Sequence, residues 1–410
     1  MDTQIFDLIT KEEKRQGETI DLIPSENYCS RQVLRAVGSV LSNKYAEGYP
    51  GKRYYQGNAV VDEVERIAKE RVCELFGVKF ANVQPYSGSP ANATVYFALL
   101  SPGDKIMGLA LFSGGHLTHG HPVTFSGKYF KPVQYSVEES GWIDYEKLGR
   151  LVLLEKPKLL IAGTTSYPRI LDFKKFRKIA DSVGAYLLAD ISHIAGLIIA
   201  GVHPSPVGLA DVIMTTTHKT LRGPRGAILM TDNLEIAQKI DRAVFPGLQG
   251  GPHENTIAAV AVALAEATRP EFKAYGQQIV KNAKVLAQTL INNSIDLVTG
   301  GTDNHLMVID LRKLNLTGKE VAEKLESAGI ITNKNSVPND PQPPAITSGI
   351  RIGTPAVTTR GMKEKEMKRI GEWVSGLILE KLETEKVRKE VKELCKRFPT
   401  SLSFWNERSE

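Results

Sequence analysis

From about residue 60, short apolar runs alternate with segments of helical periodicity, and this alternation restricts the fold more than any other feature of the 410-residue chain. Residues 61–76 carry the spacing of an amphipathic helix that stops at Gly77, and residues 81–84 read as a short strand. Ser87-Gly88-Ser89-Pro90 reads as a turn, with Pro90 in the first turn of a helix running to residue 100. Strands are expected at 159–162, 185–189, 211–215 and 227–230, and a helix at 173–183 ending at Gly184. Strands separated by helices imply an α/β domain with a mostly parallel sheet covered on both faces.

The flanks differ. A polar helix over 6–16 leads into an irregular segment, and residues 45–57 crowd Tyr45, Tyr49, Tyr54 and Tyr55 among glycines and charges. That composition suits neither helix nor strand and reads as a loop carrying function. Beyond residue 270 come a long helix (271–292), a strand alternating as if half-exposed (306–311), a helix (318–328), a loop with four prolines (335–348) and a final amphipathic helix (363–385). We read an N-terminal arm and active-site loop (1–55), a large domain (56–270) and a smaller α+β domain (271–410).

Composition excludes several classes. An apolar fraction of 42% with 24% charged residues argues against a disordered or fibrous chain. The net charge of +6 is modest, and Lys363-Glu364-Lys365-Glu366 reads as a solvated helix face, so small anionic ligands fit better than nucleic acid. Three widely spaced cysteines without a CxxC pair disfavour a disulfide framework or zinc and fit a reducing cytosol. The start lacks the basic and apolar regions of a signal peptide, and no apolar run reaches the ~18 residues of a membrane span, so a cytoplasmic protein is expected.

Chemistry concentrates where strands end. Thr215-Thr216-Thr217-His218-Lys219-Thr220 follows a strand, and ligands of open α/β sheets bind at such carboxyl ends. A partly desolvated lysine there becomes a nucleophilic amine able to form Schiff bases. Asp190 ends the preceding strand, with His193 three residues on, and a carboxylate buried there needs a cationic partner. Lysine plus aspartate is the pair that pyridoxal phosphate enzymes use, the acid holding the pyridine nitrogen protonated. Ser87-Gly88-Ser89 at a helix start suits phosphate. Gly114-Gly115-His116-Leu117-Thr118-His119-Gly120 lacks a third ligand at zinc spacing, so no metal is expected, and His116 reads as a stacking face. Arg351, between Gly349 and Gly353, could clamp a carboxylate.

The motifs, taken in order, resemble the serine hydroxymethyltransferase family of fold-type I pyridoxal phosphate enzymes. They run from 22–28 (LIPSENY), 43–55 (NKYAEGYPGKRYY), 84–92 (QPYSGSPAN) and 114–120 (GGHLTHG) through 190–196 (DISHIAG) and 215–226 (TTTHKTLRGPRG) to 245–252 (FPGLQGGP) and 335–355. The resemblance implies a seven-stranded, mostly parallel sheet between helices. It also implies transfer of a one-carbon unit between L-serine and glycine with tetrahydrofolate as co-substrate. Lys219 would be the Schiff-base lysine, Asp190 the pyridinium partner, His193 the contact of the phenolic oxygen and His116 the stacking ring. Ser87, Gly88, Ser89 and His218 would surround the phosphate, with Gly250 and Gly251 reaching the site of a neighbouring subunit and Thr165 binding the cofactor. Ser25 and Arg351 would take the amino acid carboxylate. Tyr45 and Glu47 would come from the partner chain of a homodimer, with Tyr55 near the reacting carbons. Folate would lie near Glu47, Tyr54, Leu111, Gly115, Leu117 and Asn335. Glu47 is the candidate proton shuttle, a role that needs a carboxyl pKa raised by burial. Thr165, Gln56, Tyr86 and Leu248 stand where the family has serine, glycine, histidine and glycine. A folate-independent 3-hydroxy amino acid aldolase and an RNA-binding protein are the alternative functions.

Overall fold

A computed structural model describes residues 2–400. Its centre is a seven-stranded sheet of β1 (Phe80–Asn82), β2 (Lys105–Leu109), β3 (Lys131–Tyr135), β4 (Leu159–Gly163), β5 (Tyr186–Asp190), β6 (Val212–Thr216) and β7 (Ala227–Thr231). The spatial order is β1-β7-β6-β5-β4-β2-β3, and β7 alone runs against both its neighbours. Strands β4, β6 and β7 are buried at every position, as a parallel sheet covered on both faces requires. One face packs on Phe173–Asp181 and Ala59–Phe76, and the other on Gly88–Leu99 and Leu234–Arg242. Local chemistry sets the ends of these helices: Gly77 closes the second in the left-handed conformation, and Asp172 caps the first through the Lys175 N–H.

A second sheet is built from β8 (Asp296–Leu297), β9 (Leu306–Asp310), β10 (Asn333–Asn335) and β11 (Gly349–Gly353), in the order β8-β9-β11-β10 and antiparallel throughout. Helix Pro270–Asn292 ties the halves together. Its Phe272, Tyr275 and Ile279 join the core of the large sheet, and its Ala283, Leu286 and Leu290 join the second core. Ile20 and Leu22 of the N-terminal segment also pack in the second core, where Ile20–Asp21 pairs in parallel with Ile330–Ile331.

Four sequence expectations change here. The strand at 306–311 is not half-exposed: all of β9 except Asp310 is buried, because Met307 and Ile309 face the second core while Val308 faces Phe112 and Tyr167, which follow strands of the large sheet. The helix over 363–385 is two helices, Glu364–Ile378 and Thr384–Arg397. Between them Glu380 takes a left-handed φ of 58°, and Leu382 folds back onto Gly376, where no side chain would fit. Glu366, expected on a solvated face, is buried and accepts the Lys363 N–H at 3.0 Å to start the first of these helices. The loop 45–57 contains a tight hairpin, Gly48–Tyr49 against Lys52–Arg53. Among the described residues no helix is long and apolar enough to cross a membrane.

Candidate active site

Five strands of the large sheet end on one edge, and each hands over to a segment carrying a candidate side chain. β1 leads to Ser87, β2 to the turn 111–116, β4 to Thr165, β5 finishes at Asp190, and β6 leads to Lys219. Adjacent pairing of Gly163 with Asp190 and of Asp190 with Met214 puts three of these ends side by side. This is the carboxyl edge at which open α/β sheets bind ligands.

Asp190 is buried and held in place by four hydrogen bonds. Its Oδ2 accepts from His119 Nε2 at 3.0 Å and Asn92 Nδ2 at 3.1 Å, and its Oδ1 from the Ser192 hydroxyl at 2.6 Å and N–H at 3.1 Å. Burial alone would raise its pKa, but the hydrogen bond and charge of His119, with His116 and Ser192, hold the carboxyl well below the usual carboxylate range. Among the described residues Lys219 Nζ has one hydrogen bond, to Thr216 Oγ1 at 3.3 Å. Burial lowers this amine to about 8; Asp190 opposes the shift, and Arg351 and Arg225 add to it. The backbone under Lys219 is fixed by Asn27, whose amide donates to the Lys219 carbonyl at 3.0 Å and to Tyr275 Oη at 2.7 Å.

The four-stranded sheet contributes Arg351 from the middle of β11. Its guanidinium donates to the Thr165 carbonyl at 2.6 Å and to Asn333 Oδ1 at 3.1 Å, and burial lowers it to about 10. No carboxylate side chain pairs with it among the described residues, which leaves the fork able to accept one. Ser25 lies in the turn after Pro24, which packs against Gly353 of the same strand. Thr165 turns its hydroxyl onto the Gly115 carbonyl at 2.9 Å, so it braces the glycine turn. Gly115 itself is obligatory, since any side chain would run into the Leu109 carbonyl.

His116 accepts the Thr118 N–H and shares a 2.7 Å hydrogen bond with the Thr118 hydroxyl; burial, then the charge of His119, lowers it to about 4. Burial with Lys219 and Arg351 drives His193 down as well. His218 falls to about 3 through burial and Lys219, and its Nδ1 has no hydrogen-bond partner among the described residues. Ser87 opens helix Gly88–Leu99 without a side-chain cap, leaving the first-turn N–H groups without intrahelical acceptors. Among the described residues no group of three or more His, Cys, Asp or Glu could hold a metal ion.

Tyr45, Glu47, Tyr54 and Tyr55 do not join this cluster. Tyr45 packs edge-on to Tyr55 at 4.9 Å and donates to Glu47 Oε1 at 3.2 Å. Glu47 lies against Gly250, and the Tyr45 ring against Gly251. No hydrogen bond or ion pair among the described residues links Glu47 or Tyr45 to Lys219, Asp190 or Arg351. The patch faces outward, with Tyr45 54% and Tyr54 71% exposed. Behind it, Tyr86 stacks flat on His253 at 4.2 Å and donates to the Gly251 carbonyl at 2.8 Å. The hairpin carrying Glu47 is anchored by Arg53, which bonds Asp62, Glu65 and the Ala46 and Gly48 carbonyls. Leu111 and Asn335 sit on segments that face each other across a cavity of about 350 Å³ lined by Phe112, Ser336 and Pro338, and Leu117 is exposed.

Sequence reasoning singled out neither Asn27, Asn92, His119 nor His305 for a role. His119 and Asn92 lie inside quoted motifs, and a search for partners able to keep Asp190 ionised would have raised both.

A family model described as serine hydroxymethyltransferase matches residues 1–374. The serine hydroxymethyltransferase of Acidothermus cellulolyticus is 55% identical over 410 residues, covering 97% of this chain and 96% of that protein. That of Desulfotalea psychrophila is 55% identical over 401 residues, covering 97% and 94%. Serine hydroxymethyltransferase 2 of Pseudomonas fluorescens is 53% identical over 402 residues, covering 97% and 96%. With matches of this length and with the lysine, aspartate and arginine gathered at one sheet edge, the chain belongs to the serine hydroxymethyltransferase family.

Proposed function

We infer that this chain interconverts L-serine and glycine and passes the one-carbon unit to tetrahydrofolate, giving 5,10-methylenetetrahydrofolate. The observation that carries the reading is the convergence of the Lys219 amine, the ionised Asp190 carboxylate and the Arg351 guanidinium, in a chain whose full-length relatives are serine hydroxymethyltransferases.

The donor set fits pyridoxal 5'-phosphate. A carboxylate kept ionised at the end of β5 suits a protonated pyridine nitrogen. The open first turn at Ser87, Gly88 and Ser89 and the unpartnered His218 Nδ1 suit a phosphate. When bound, the cofactor supplies an aldehyde for the substrate amino group and a ring that takes up the electron pair of the broken Cα–Cβ bond. Lys219, at about 8, presents a useful fraction of neutral amine at neutral pH. Arg351 and Ser25 hold the substrate carboxylate and so set the direction of the Cα–Cβ bond. Neutral His116 offers a ring face, and His193 a hydrogen bond to the phenolic oxygen. Glu47 moves a proton between the serine hydroxyl, the departing one-carbon unit and folate, and Tyr55 stands by the reacting carbons. Tyr54, Leu111, Gly115, Leu117 and Asn335 border the folate.

The reading requires a homodimer in which the Glu47 patch, with Gly250 and Gly251, completes the lysine cluster of the other copy. Two observations support it. The tyrosine patch is exposed on a single chain, and helix Thr3–Glu18 has no buried residue although Ile5, Phe6, Leu8 and Ile9 are apolar. A second chain would also supply the burial that Glu47, half-buried here, needs as a proton shuttle. The three widely spaced cysteines, with no CxxC pair, suit a reducing, cytoplasmic location.

The deciding experiment is glycine release from serine by the cofactor-loaded protein, with and without tetrahydrofolate, beside Lys219→Ala. Strong stimulation by folate in the wild type only is expected. Equal rates without folate would move the reading to a 3-hydroxy amino acid aldolase, and full activity in the variant would remove Lys219 from the chemistry.

A further inference from the structure

One buried histidine has no part in the reading above. His305 directly precedes β9, is fully buried, and brings its Nε2 to 3.3 Å from His193 Nδ1, with the two ring centroids 5.5 Å apart. Its Nδ1 has no hydrogen-bond partner among the described residues. Both rings are neutral. Burial, then Arg351, lowers His305 to about 3, and burial, then Lys219 and Arg351, lowers His193 well below the ordinary histidine value.

Two neutral imidazoles at this separation share a single proton between the facing nitrogens. If His193 donated it from Nδ1, the proton of His305 would have to sit on its own Nδ1, a buried N–H with nothing to accept it. Orphaned buried donors are rare, because the N–H loses its hydrogen bond to water and gains none in return. If His305 donates from Nε2, only a lone pair is left unmatched, and the proton of His193 moves to Nε2, the nitrogen turned away from His305. The backbone around His305 is held firmly enough to keep this geometry. Asn304 donates to the Tyr167 carbonyl at 3.0 Å, Asp303 pairs with Arg169 at 2.9 Å, and the His305 carbonyl accepts the Thr354 N–H at 3.0 Å.

We propose that His305 is a positioning residue that fixes His193 as the Nε2–H tautomer, so that His193 offers the cofactor site a hydrogen-bond donor suited to an anionic oxygen. The identity of that oxygen rests on the function proposed above; the tautomer is a property of the cofactor-free chain. This places on one hydrogen bond between the small and large domains the choice between a donor and an acceptor at the site.

The test is ring-nitrogen NMR of cofactor-free protein labelled at its eight histidines, with His193→Gln used to assign the His193 signals. The wild type should show His193 protonated at Nε2 and bare at Nδ1. His305→Gln, whose amide N–H can take the place of the imidazole Nε2–H, should keep that pattern, and His305→Leu should lose it. The affinity for pyridoxal phosphate should fall by about tenfold in His305→Leu and be largely restored in His305→Gln, as loss and rescue of one hydrogen bond predict. A wild-type His193 protonated at Nδ1, or an unchanged tautomer in His305→Leu, overturns the proposal, and the first of these results needs no variant to fold. A changed tautomer with unchanged cofactor affinity would instead refute the contact between His193 and the cofactor, and leave the assignment of His305 standing.

Discussion

Replacing Glu254 by glutamine should stabilise the chain, and by an amount that grows with pH. Glu254 opens helix Glu254–Ala267 and is 1% exposed, with neither carboxyl oxygen hydrogen-bonded among the described residues. Arg53 is 3.8 Å away but already bonds Glu65, which is also buried. Burial, then the charge of Glu65, pushes the Glu254 carboxyl up from 4.5 to about 8 against the pull of Arg53. Below about pH 4.5 both folded and unfolded chains hold this proton, and it costs nothing. Between 4.5 and about 8 the folded chain must keep a proton that the unfolded chain releases, so stability falls by about 1.4 kcal/mol per pH unit. The loss is roughly 3 kcal/mol at neutral pH and levels off near 5 kcal/mol above pH 8. These are upper limits, since the helix N-terminus favours the charged form, and Glu65 shares the effect because its own carboxyl is raised by burial. Glutamine has no proton to lose and keeps an oxygen for Arg53. Urea unfolding of cofactor-free wild type and Glu254→Gln, at about pH 5, 7 and 8.5, should show a stability gap that is small at the lowest pH and widens with each step. A gap independent of pH, or a variant less stable than wild type at pH 7, would refute the reasoning.

Three further outcomes follow from the site. The rate at which cofactor-free protein captures pyridoxal phosphate should rise about tenfold per pH unit and level off near pH 8, because the neutral amine of Lys219 is the reacting form; a rise continuing to pH 10 would mean that Lys219 is not shifted. Arg351→Ala should raise the KM for serine by about two orders of magnitude with a smaller change in kcat, the loss expected from a buried charge-assisted pair; an unchanged KM would contradict the carboxylate clamp. Glu47→Gln should leave glycine binding intact, measured by titration, and lower folate-dependent serine cleavage by about 10²-fold or more; equal turnover would remove Glu47 from proton transfer.

Much of the site was legible because its chemistry needs particular residue types at strand ends. A lysine among threonines after β6 and an aspartate closing β5 carry their meaning in sequence, and the structure puts them together. The supports did not. His119, Asn92 and His305 act through hydrogen bonds to residues 71, 98 and 112 positions away, and no local pattern marks such a partner. Some of the frame was hidden for physical reasons as well. β2 has a glycine inside it, Gly108, because a side chain there would strike His119; β3 is an edge strand in which only Tyr135 is buried. Helix Glu254–Ala267 is buried over most of its surface and lacks the polar stripe that makes a helix readable. The break at Glu380 has neither glycine nor proline to announce it and depends on Leu382 packing on Gly376.

The separation of the Glu47 patch from Lys219 within one chain bears on inheritance. In the proposed dimer, a chain inactivated at Lys219 still offers a sound Glu47, and a chain inactivated at Glu47 still offers a sound Lys219. A cell expressing both defective copies would assemble mixed dimers in which one of the two sites draws only on intact parts. Two alleles that are each inactive alone would then complement one another, while two alleles both damaged at Lys219 would not.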